Sequence, residues 1–205
     1  MKKLFALVLA AFAALALAAC GGEEAPAMHV EPAELTAEED AVAGLLGLDT
    51  EQHIYDVVLD EDVQSMSVRV YELENGEWHE RVGGWTQYTE PSGRIALGFD
   101  SIPEGIRIAV QQSGGNTGAT TYTPEATESL DGLARGTSLL SQRAELAYGR
   151  EQPLAIQVFT SGSEMRTFQP ESFFEPEFYE GYEHVCAVTV AFSDQSVAEL
   201  TASGG

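Results

Sequence analysis

The stretch MSVRVYELENGEW, residues 66–78, decides the fold class. Every second residue from Met66 to Val70 is apolar, so these side chains share one face of an extended strand. Asn75 and Gly76 then interrupt the run, and Asn-Gly between two strands is the strongest short-range signal for a β-hairpin. The stretch therefore predicts two antiparallel strands joined by a tight turn.

The same period of two recurs along most of the chain. It defines further apolar faces, namely Ile95, Leu97 and Phe99; Ile106, Ile108 and Val110; Leu140, Ala144, Leu146 and Tyr148; Leu154, Ile156 and Val158; and Cys186, Val188, Val190 and Phe192. One apolar and one polar face are typical of antiparallel sheets, because strands of parallel sheets are usually apolar on both faces. The sequence thus predicts an all-β protein built as an antiparallel β-sandwich, with an immunoglobulin-like topology as the first expectation.

One short helix is expected before the strands. Thr36 and Glu39 have the Thr-x-x-Glu spacing of a capping box, and good helix formers follow as far as residue 46. Val42 and Leu45 fall on one side of this helix. The apolar side predicts that the helix closes one end of the domain.

The N-terminal segment has the composition of an export signal. Two lysines precede an apolar run at residues 4–19, and the run ends in Leu-Ala-Ala directly before Cys20. This arrangement resembles the lipobox of bacterial lipoproteins. The resemblance covers residues 1–20 and implies that Cys20 receives diacylglycerol and that the chain is cut just before it. A retained membrane helix is the alternative, but the run has 16 residues, and a span needs about 20.

These features divide the chain into three parts. Residues 1–19 are predicted to be a cleaved signal peptide, residues 20–35 the lipidated Cys20 with a flexible tether, and residues 36–203 a single β-sandwich domain. The tether is predicted from GGEEAPAMHVEP at residues 21–32, which has glycine, proline and charge but no apolar period. The expected location is extracytoplasmic, with lipid at Cys20 holding the domain at the membrane.

The charge balance excludes several functions. The chain carries 33 acidic and 10 basic side chains, a net charge of -23. Both lysines lie in the predicted signal, so the mature form has eight arginines against 33 acids, or -25. Without lysine it cannot use a Schiff-base or P-loop lysine. Nucleic acid is not an expected partner, since affinity for it rests on lysine and arginine at phosphates, and an anionic lipid surface repels the domain.

Few residues suggest chemistry. Cys186 shares a face with apolar residues, which predicts a buried thiol rather than a nucleophile. Asp56, Asp60 and Asp62 form an acidic cluster of the kind that binds calcium, but the spacing is not that of an EF-hand, so a solvated acidic turn is favoured and no cofactor is predicted. Paired carboxylates for glycoside cleavage stay open, because 33 acids offer many pairs.

The segment ESFFEPEFYEGYE, residues 171–183, is the strongest candidate for recognition. It fits no strand period, and Phe178, Tyr179 and Tyr182 near its turn are predicted to contact a glycan or a peptide. The alternative is that these rings fold inward and close the sandwich, because exposed aromatic rings are costly. The same two interpretations apply to a second aromatic group, which includes Trp78 and Trp85.

The sequence favours a membrane-anchored, extracytoplasmic binding or interaction module without catalysis. A surface glycan hydrolase that uses paired carboxylates is one alternative, and a structural envelope protein is another. Binding is favoured because the chain contains no known catalytic motif: a His-Glu-x-x-His pattern that starts at His79 has Gly83 in place of the second histidine.

Overall fold

The computed structural model describes residues 28–45, 53–123 and 130–203, and it confirms the all-β sandwich. The strands are β1 (His29–Pro32), β2 (Ile54–Val58), β3 (Ser65–Glu74), β4 (Glu77–Val82), β5 (Trp85–Gln87), β6 (Ser92–Gly98), β7 (Ile106–Gln112), β8 (Thr117–Tyr122), β9 (Ala134–Leu139), β10 (Ala144–Glu145), β11 (Gln152–Thr160) and β12 (His184–Ser193). The helices are α1 (Ala37–Leu45) and α2 (Val197–Ser203), with 3-10 turns at Ile102–Glu104, Pro170–Phe174 and Pro176–Tyr179. Neither α-helix, nor any other helix in the described ranges, has the length and apolar character needed to cross a membrane.

The strands form two sheets with antiparallel pairing throughout. Sheet A has the order β10-β1-β2-β6-β7-β8, and sheet B the order β4-β3-β12-β11-β9, with β5 also paired to β3. One sheet of an immunoglobulin domain has the strand order A-B-E-D, and β1, β2 and β6 would take the places of A, B and E. The next strand in that sheet is D, which precedes E in the chain. Here the strands beyond β6 are β7 and β8, which follow it. The sandwich thus departs from the immunoglobulin order, because β6, β7 and β8 form a meander of consecutive hairpins.

The main core lies between the sheets. Tyr55 and Ile95 of sheet A and Met66 and Val188 of sheet B are among its fully buried side chains. Complete burial of one such side chain contributes about 1.5–3 kcal/mol. The phenol of Tyr55 also donates a hydrogen bond across the core to the carbonyl of Leu154, at 3.1 Å. The core therefore joins both sheets into one unit.

A buried amide reinforces this junction. Gln157 on β11 has no exposed surface. Its Oε1 accepts a hydrogen bond from the N–H of Ile102 at 2.7 Å, and its Nε2 donates to the carbonyl of Asp100 and to the hydroxyl of Thr137, each at 3.0 Å. Because all these polar atoms have partners, the glutamine is stabilising rather than costly in the core.

The hairpin between β3 and β4 confirms the prediction from residues 66–78. Asn75 has φ 52° and Gly76 has φ 81°. Positive φ at both central residues is the requirement of a type I′ turn, whose twist matches that of the strands it joins. Asparagine and glycine tolerate this conformation better than other residues.

The prediction that Leu154, Ile156 and Val158 share one face of a strand is wrong. The pairing of β11 with β12 shifts register between Pro153 and Ala155, and this bulge reverses the alternation. Leu154 belongs to the main core, whereas Ile156 and Val158 belong to a second apolar cluster on the outer face of sheet B. The unbroken apolar run at this point gives no indication of where the extra residue lies.

The predicted run from Leu140 to Tyr148 is not a single strand. Strand β9 ends at Leu139, and β10 contains only Ala144 and Glu145. Nevertheless Leu140, Ala144 and Tyr148 all contact the main core. The apolar period was therefore a correct sign of burial, although the backbone between these residues turns.

The predicted tether is too long. Strand β1 pairs with β2 and β10, and both His29 and Val30 are buried. Residues 29–32 therefore belong to the domain, and the prediction of a flexible tether is wrong for them. Only four residues pair here, too few to show an apolar period. The signal peptide, Cys20 and the start of the predicted tether lie outside the described residues.

Helix α1 forms where it was predicted, but it does not close an end of the domain. Glu39 accepts hydrogen bonds from the N–H and the hydroxyl of Thr36, at 2.8 and 2.9 Å, which confirms the capping box. However, Val42 and Leu45 are exposed, and Ala43 is the buried residue of the helix. The helix lies over the outer face of sheet A, where Ala43 faces residues such as Ala96 across a shallow groove.

Candidate functional site

The predicted recognition segment places two of its rings, Phe173 and Tyr179, in a second apolar core. Its two 3-10 turns cover the outer face of sheet B, and Tyr179 is only 2% exposed. The Tyr179 ring lies 4.7 Å from that of Phe168, and its phenol shares a hydrogen bond with the hydroxyl of Ser172 at 2.6 Å. Burial raises the pKa of Tyr179 to about 12. The prediction of Tyr179 as a ligand contact is therefore wrong.

The other predicted contacts divide between this second core and the surface. Trp78 stacks on Phe173 with ring centroids 4.9 Å apart and donates its indole N–H to the carbonyl of Phe173 at 2.8 Å. Tyr182 is half-buried, and its phenol oxygen accepts a hydrogen bond from the N–H of Arg166 at 2.9 Å. Phe178 is exposed. The structure thus brings Trp78 to the recognition segment, but as a packing partner.

Trp85 belongs to a separate polar group on the outer face of sheet B. The guanidinium of Arg69 lies 5.1 Å from the ring centre of Trp85 and pairs with Glu151 and Glu80. Glu151 also accepts hydrogen bonds from Tyr71 and from Thr189. Arg69 and Glu151 are largely buried. Removing one partner of such a pair would be costly, because it would leave a largely buried charge unpaired.

A glycan hydrolase needs a carboxyl group that stays protonated near neutral pH, because it must donate a proton to the leaving oxygen. In the described ranges, hydrogen bonds hold the pKa of four carboxyl groups below the usual value, namely those of Glu39, Asp100, Glu183 and Glu199. For Glu39 the pKa falls to about 2, mainly through the N–H of Thr36 and then Arg94. These four groups are charged at neutral pH and do not offer a proton.

The predicted acidic cluster is divided among other partners. Asp56 accepts a hydrogen bond from Arg94 at 2.7 Å. Asp60 accepts one from the N–H of Asp62 at 3.0 Å and another from the phenol of Tyr148. In the described ranges, no three His, Cys, Asp or Glu side chains come together as a metal-binding group.

Cys186 is buried, as predicted. The residue is 3% exposed, and its thiol forms no disulfide. Burial raises the pKa of the Cys186 thiol far above its ordinary value, and the nearby carboxylate of Glu72 adds to this effect. The thiol is therefore neutral and poorly nucleophilic.

A cleft that was not predicted opens between the two sheets. It lies where β7 and β8 of sheet A face β3, β4 and β5 of sheet B, and its volume is about 430 Å³. Its apolar walls are formed by Met66, Val68, Val82, Ile108, Val110 and Tyr122. These side chains belong to the main core or pack against it. The cleft thus makes apolar side chains of the core accessible from outside the sandwich.

The cleft is open because β8 supplies little side-chain volume. Gly118 pairs with Val110, and Thr120 pairs with Ile108, so both face inward beside core residues. Apart from its chain neighbours, no heavy atom lies within 4 Å of the position that a Cβ would occupy at Gly118. Closure of the sandwich would need large apolar side chains at these two positions, and glycine and threonine leave the space empty.

The polar groups of the cleft are few and uncharged. Tyr88 has no exposed surface, and its phenol has no hydrogen-bond partner among the described residues. Burial raises the pKa of Tyr88 well above its usual value, so the phenol is neutral. Gln87, Gln112 and Asn116 also line the cleft, and the Gln112 side chain accepts a hydrogen bond from the N–H of Thr89 at 3.1 Å. The neutral amides of Gln87, Gln112 and Asn116 can orient a ligand but supply no acid or base, and Tyr88 is not accessible to one.

Sequence reasoning missed this cleft because its defining strand lacks an apolar period. The sequence of β8, TGATTY, has one large side chain, at Tyr122. The useful signal was a strand-length run of small residues at 117–121, which follows the turn signal at residues 113–116. No protein-family model, curated protein or solved structure matches this chain. The candidate site is therefore defined by its geometry.

Proposed function

We propose that this chain is a non-catalytic, extracytoplasmic binding module, anchored to a membrane by lipid at Cys20, and that it takes an apolar ligand group into the cleft. The observation that carries the proposal is that apolar side chains of the main core, or packed against it, are accessible in a cleft of about 430 Å³. Ligand sites are typically concave and mainly apolar, with a few polar groups and volumes of about 300–1,000 Å³. The cleft has each of these properties.

The residues of the cleft support binding rather than catalysis. None of its lining residues carries a charge at neutral pH. An uncharged wall favours an uncharged, apolar group, since burial of an unpaired charge is costly. The exposed rings of Phe174 and Phe178 lie in the segment on the outer face of sheet B, away from the cleft.

The anchor rests on the sequence of residues 1–20. The described domain begins at Met28, eight residues after Cys20. Even a fully extended chain spans at most about 3.6 Å per residue, so lipid at Cys20 would hold Met28 within about 29 Å of the attachment point. The site would therefore work close to the membrane surface.

An uncharged fluorophore tests the cleft directly. N-phenylnaphthylamine fluoresces more strongly in apolar surroundings, and we expect the domain to enhance its emission. The variant Gly118→Leu should weaken this binding about tenfold or more, because the leucine side chain would occupy the empty space beside Val110. The variant should fold, since Gly118 does not have a positive φ and faces open space.

The matched control is Gln111→Leu, which adds a leucine to the exposed outer side of β7. It should bind the fluorophore as the unaltered domain does. Thermal unfolding of both variants checks that they fold. Equal binding by the Gly118→Leu variant and the unaltered domain would show that the fluorophore binds elsewhere, and no enhancement by the unaltered domain would contradict the proposed function.

A further inference from the structure

Strand β8 is an unprotected sheet edge beside the cleft. In the described part of the chain it has β7 on one side and no strand on the other. Its six residues, Thr117–Tyr122, include no charge and no proline. Proteins usually protect such edges with charged residues, proline, bulges or very short strands, because a free edge accepts further strands.

The other sheet edges of the described chain are protected in these ways. Strand β4 carries four ionisable side chains within six residues, and Arg81 forms a bulge in it. Strands β5 and β10 have only three and two residues, and β9 carries Arg135. Strand β8 is thus the long, neutral edge, and it is also the strand that borders the cleft.

The turn before β8 determines which of its backbone groups are free. The N–H of Gln112 donates to the carbonyl of Asn116 at 2.8 Å. Gln112 and Asn116 lie opposite each other and therefore form a hydrogen-bonded pair. Because such pairs alternate with non-bonded pairs along an antiparallel ladder, Gly118 and Thr120 also belong to hydrogen-bonded pairs, and their N–H and C=O groups point toward β7. The N–H and C=O groups of Thr117, Ala119 and Thr121 therefore point away from the sheet, toward the position that a further strand would take.

A strand added at this edge would also enter the cleft. Alternate side chains of the added strand would face inward, next to Gly118 and Thr120, where β8 itself leaves space. Apolar side chains at those positions would cover the exposed parts of Val68 and Val110. A lipid chain would make the apolar contacts but leave the hydrogen-bonding edge unused, so a peptide uses more of the site than a lipid does.

Charge favours a basic partner over a second copy of this chain. The chain has a net charge of -23, and like charges oppose self-association. The same field attracts a positively charged segment and speeds its encounter with the neutral edge. Resting on the proposed function of the cleft, we propose that β8 binds an extended, positively charged segment of another protein as an additional antiparallel or parallel strand, whose alternate apolar side chains fill the cleft.

The test uses a synthetic peptide in which valine alternates with threonine and a lysine stands at each end. We expect it to bind the domain and to displace N-phenylnaphthylamine. The same peptide with N-methyl groups on every second residue lacks the N–H groups that pair with an edge, and should bind about tenfold or more weakly. Calorimetry measures both affinities.

A variant separates the edge from the cleft. Thr121→Pro removes an N–H that points away from β7 at a residue that is not part of the cleft wall, and proline is tolerated on edge strands at such positions. The variant should lose about tenfold or more of its affinity for the peptide, yet still bind the fluorophore. Thermal unfolding checks that it folds.

Equal affinity for the two peptides, or equal affinity of the unaltered domain and the Thr121→Pro variant for the unmethylated peptide, would overturn strand addition and leave the cleft as an apolar binding site. If the unaltered domain does not bind the fluorophore at all, this result would instead contradict the proposed function itself. Light scattering of the domain alone provides one more check: a dimer that Thr121→Pro dissociates would assign the edge to a second copy and overturn the proposed partner.

Discussion

Replacement of Tyr179 by alanine is expected to lower the free energy of unfolding by about 3–5 kcal/mol, as large truncations of buried aromatic side chains do. The Tyr179 ring is 2% exposed and lies among Phe168, Trp78 and the outer face of sheet B. The substitution would leave a cavity there and would also remove one of the two hydrogen bonds of the Ser172 hydroxyl, which keeps its bond to the carbonyl of Gln169. Denaturant unfolding measures the change.

The adjacent ring provides the control. Phe178 is 46% exposed, so Phe178→Ala should change the free energy of unfolding by about 0.5 kcal/mol or less. Similar losses for both variants would show that the whole segment is packed. Negligible losses for both would show that the segment does not cover sheet B, and would restore it as a candidate recognition surface.

Replacement of Cys20 by serine is expected to release the protein from membranes almost completely. Each buried CH₂ of an acyl chain contributes about 0.8 kcal/mol, and two chains give stable anchoring where one gives only reversible binding. The strongly acidic domain adds no attraction to an anionic surface. Partition of the protein into a detergent phase, after removal of residues 1–19, measures the anchor.

The other cysteine is the matched control for this experiment. Cys186 is buried and forms no disulfide, so Cys186→Ala should leave the partition unchanged. If the Cys20→Ser variant without residues 1–19 still enters the detergent phase, lipid at Cys20 is not the anchor. Release of the Cys186→Ala variant would indicate that a folding defect, rather than loss of lipid, controls the partition.

Local patterns predicted most of the sandwich. The alternation at residues 66–70 and the Asn75-Gly76 turn both have direct physical causes, because strand side chains alternate in direction and the type I′ turn needs positive φ. The bulge in β11 was not predictable, since an apolar run looks the same with or without an extra residue. Strand β1 was missed because four residues are too few to show a period.

The candidate site was harder to predict than the fold. The walls of the cleft, such as Met66 and Ile108, were correctly assigned to the core face, but nothing local shows that they stay accessible. That property depends on small residues at Gly118 and Thr120, which matter only once β8 lies opposite sheet B. The prediction for residues 171–183 failed for the opposite reason. Tyr179 lies beside a turn, which is typical of a surface residue, but tertiary packing buries it.

The most direct test of the cleft as the ligand site is a nuclear magnetic resonance titration of isotope-labelled domain with N-phenylnaphthylamine and then with the alternating peptide. Backbone N–H signals at residues 82–88, 108–112 and 116–122 should shift with either ligand, because these residues line the cleft or adjoin its lining. Signals at residues 168–183 should stay in place, since that segment covers the outer face of sheet B. Shifts confined to residues 168–183, with the signals of β8 unchanged, would contradict the account.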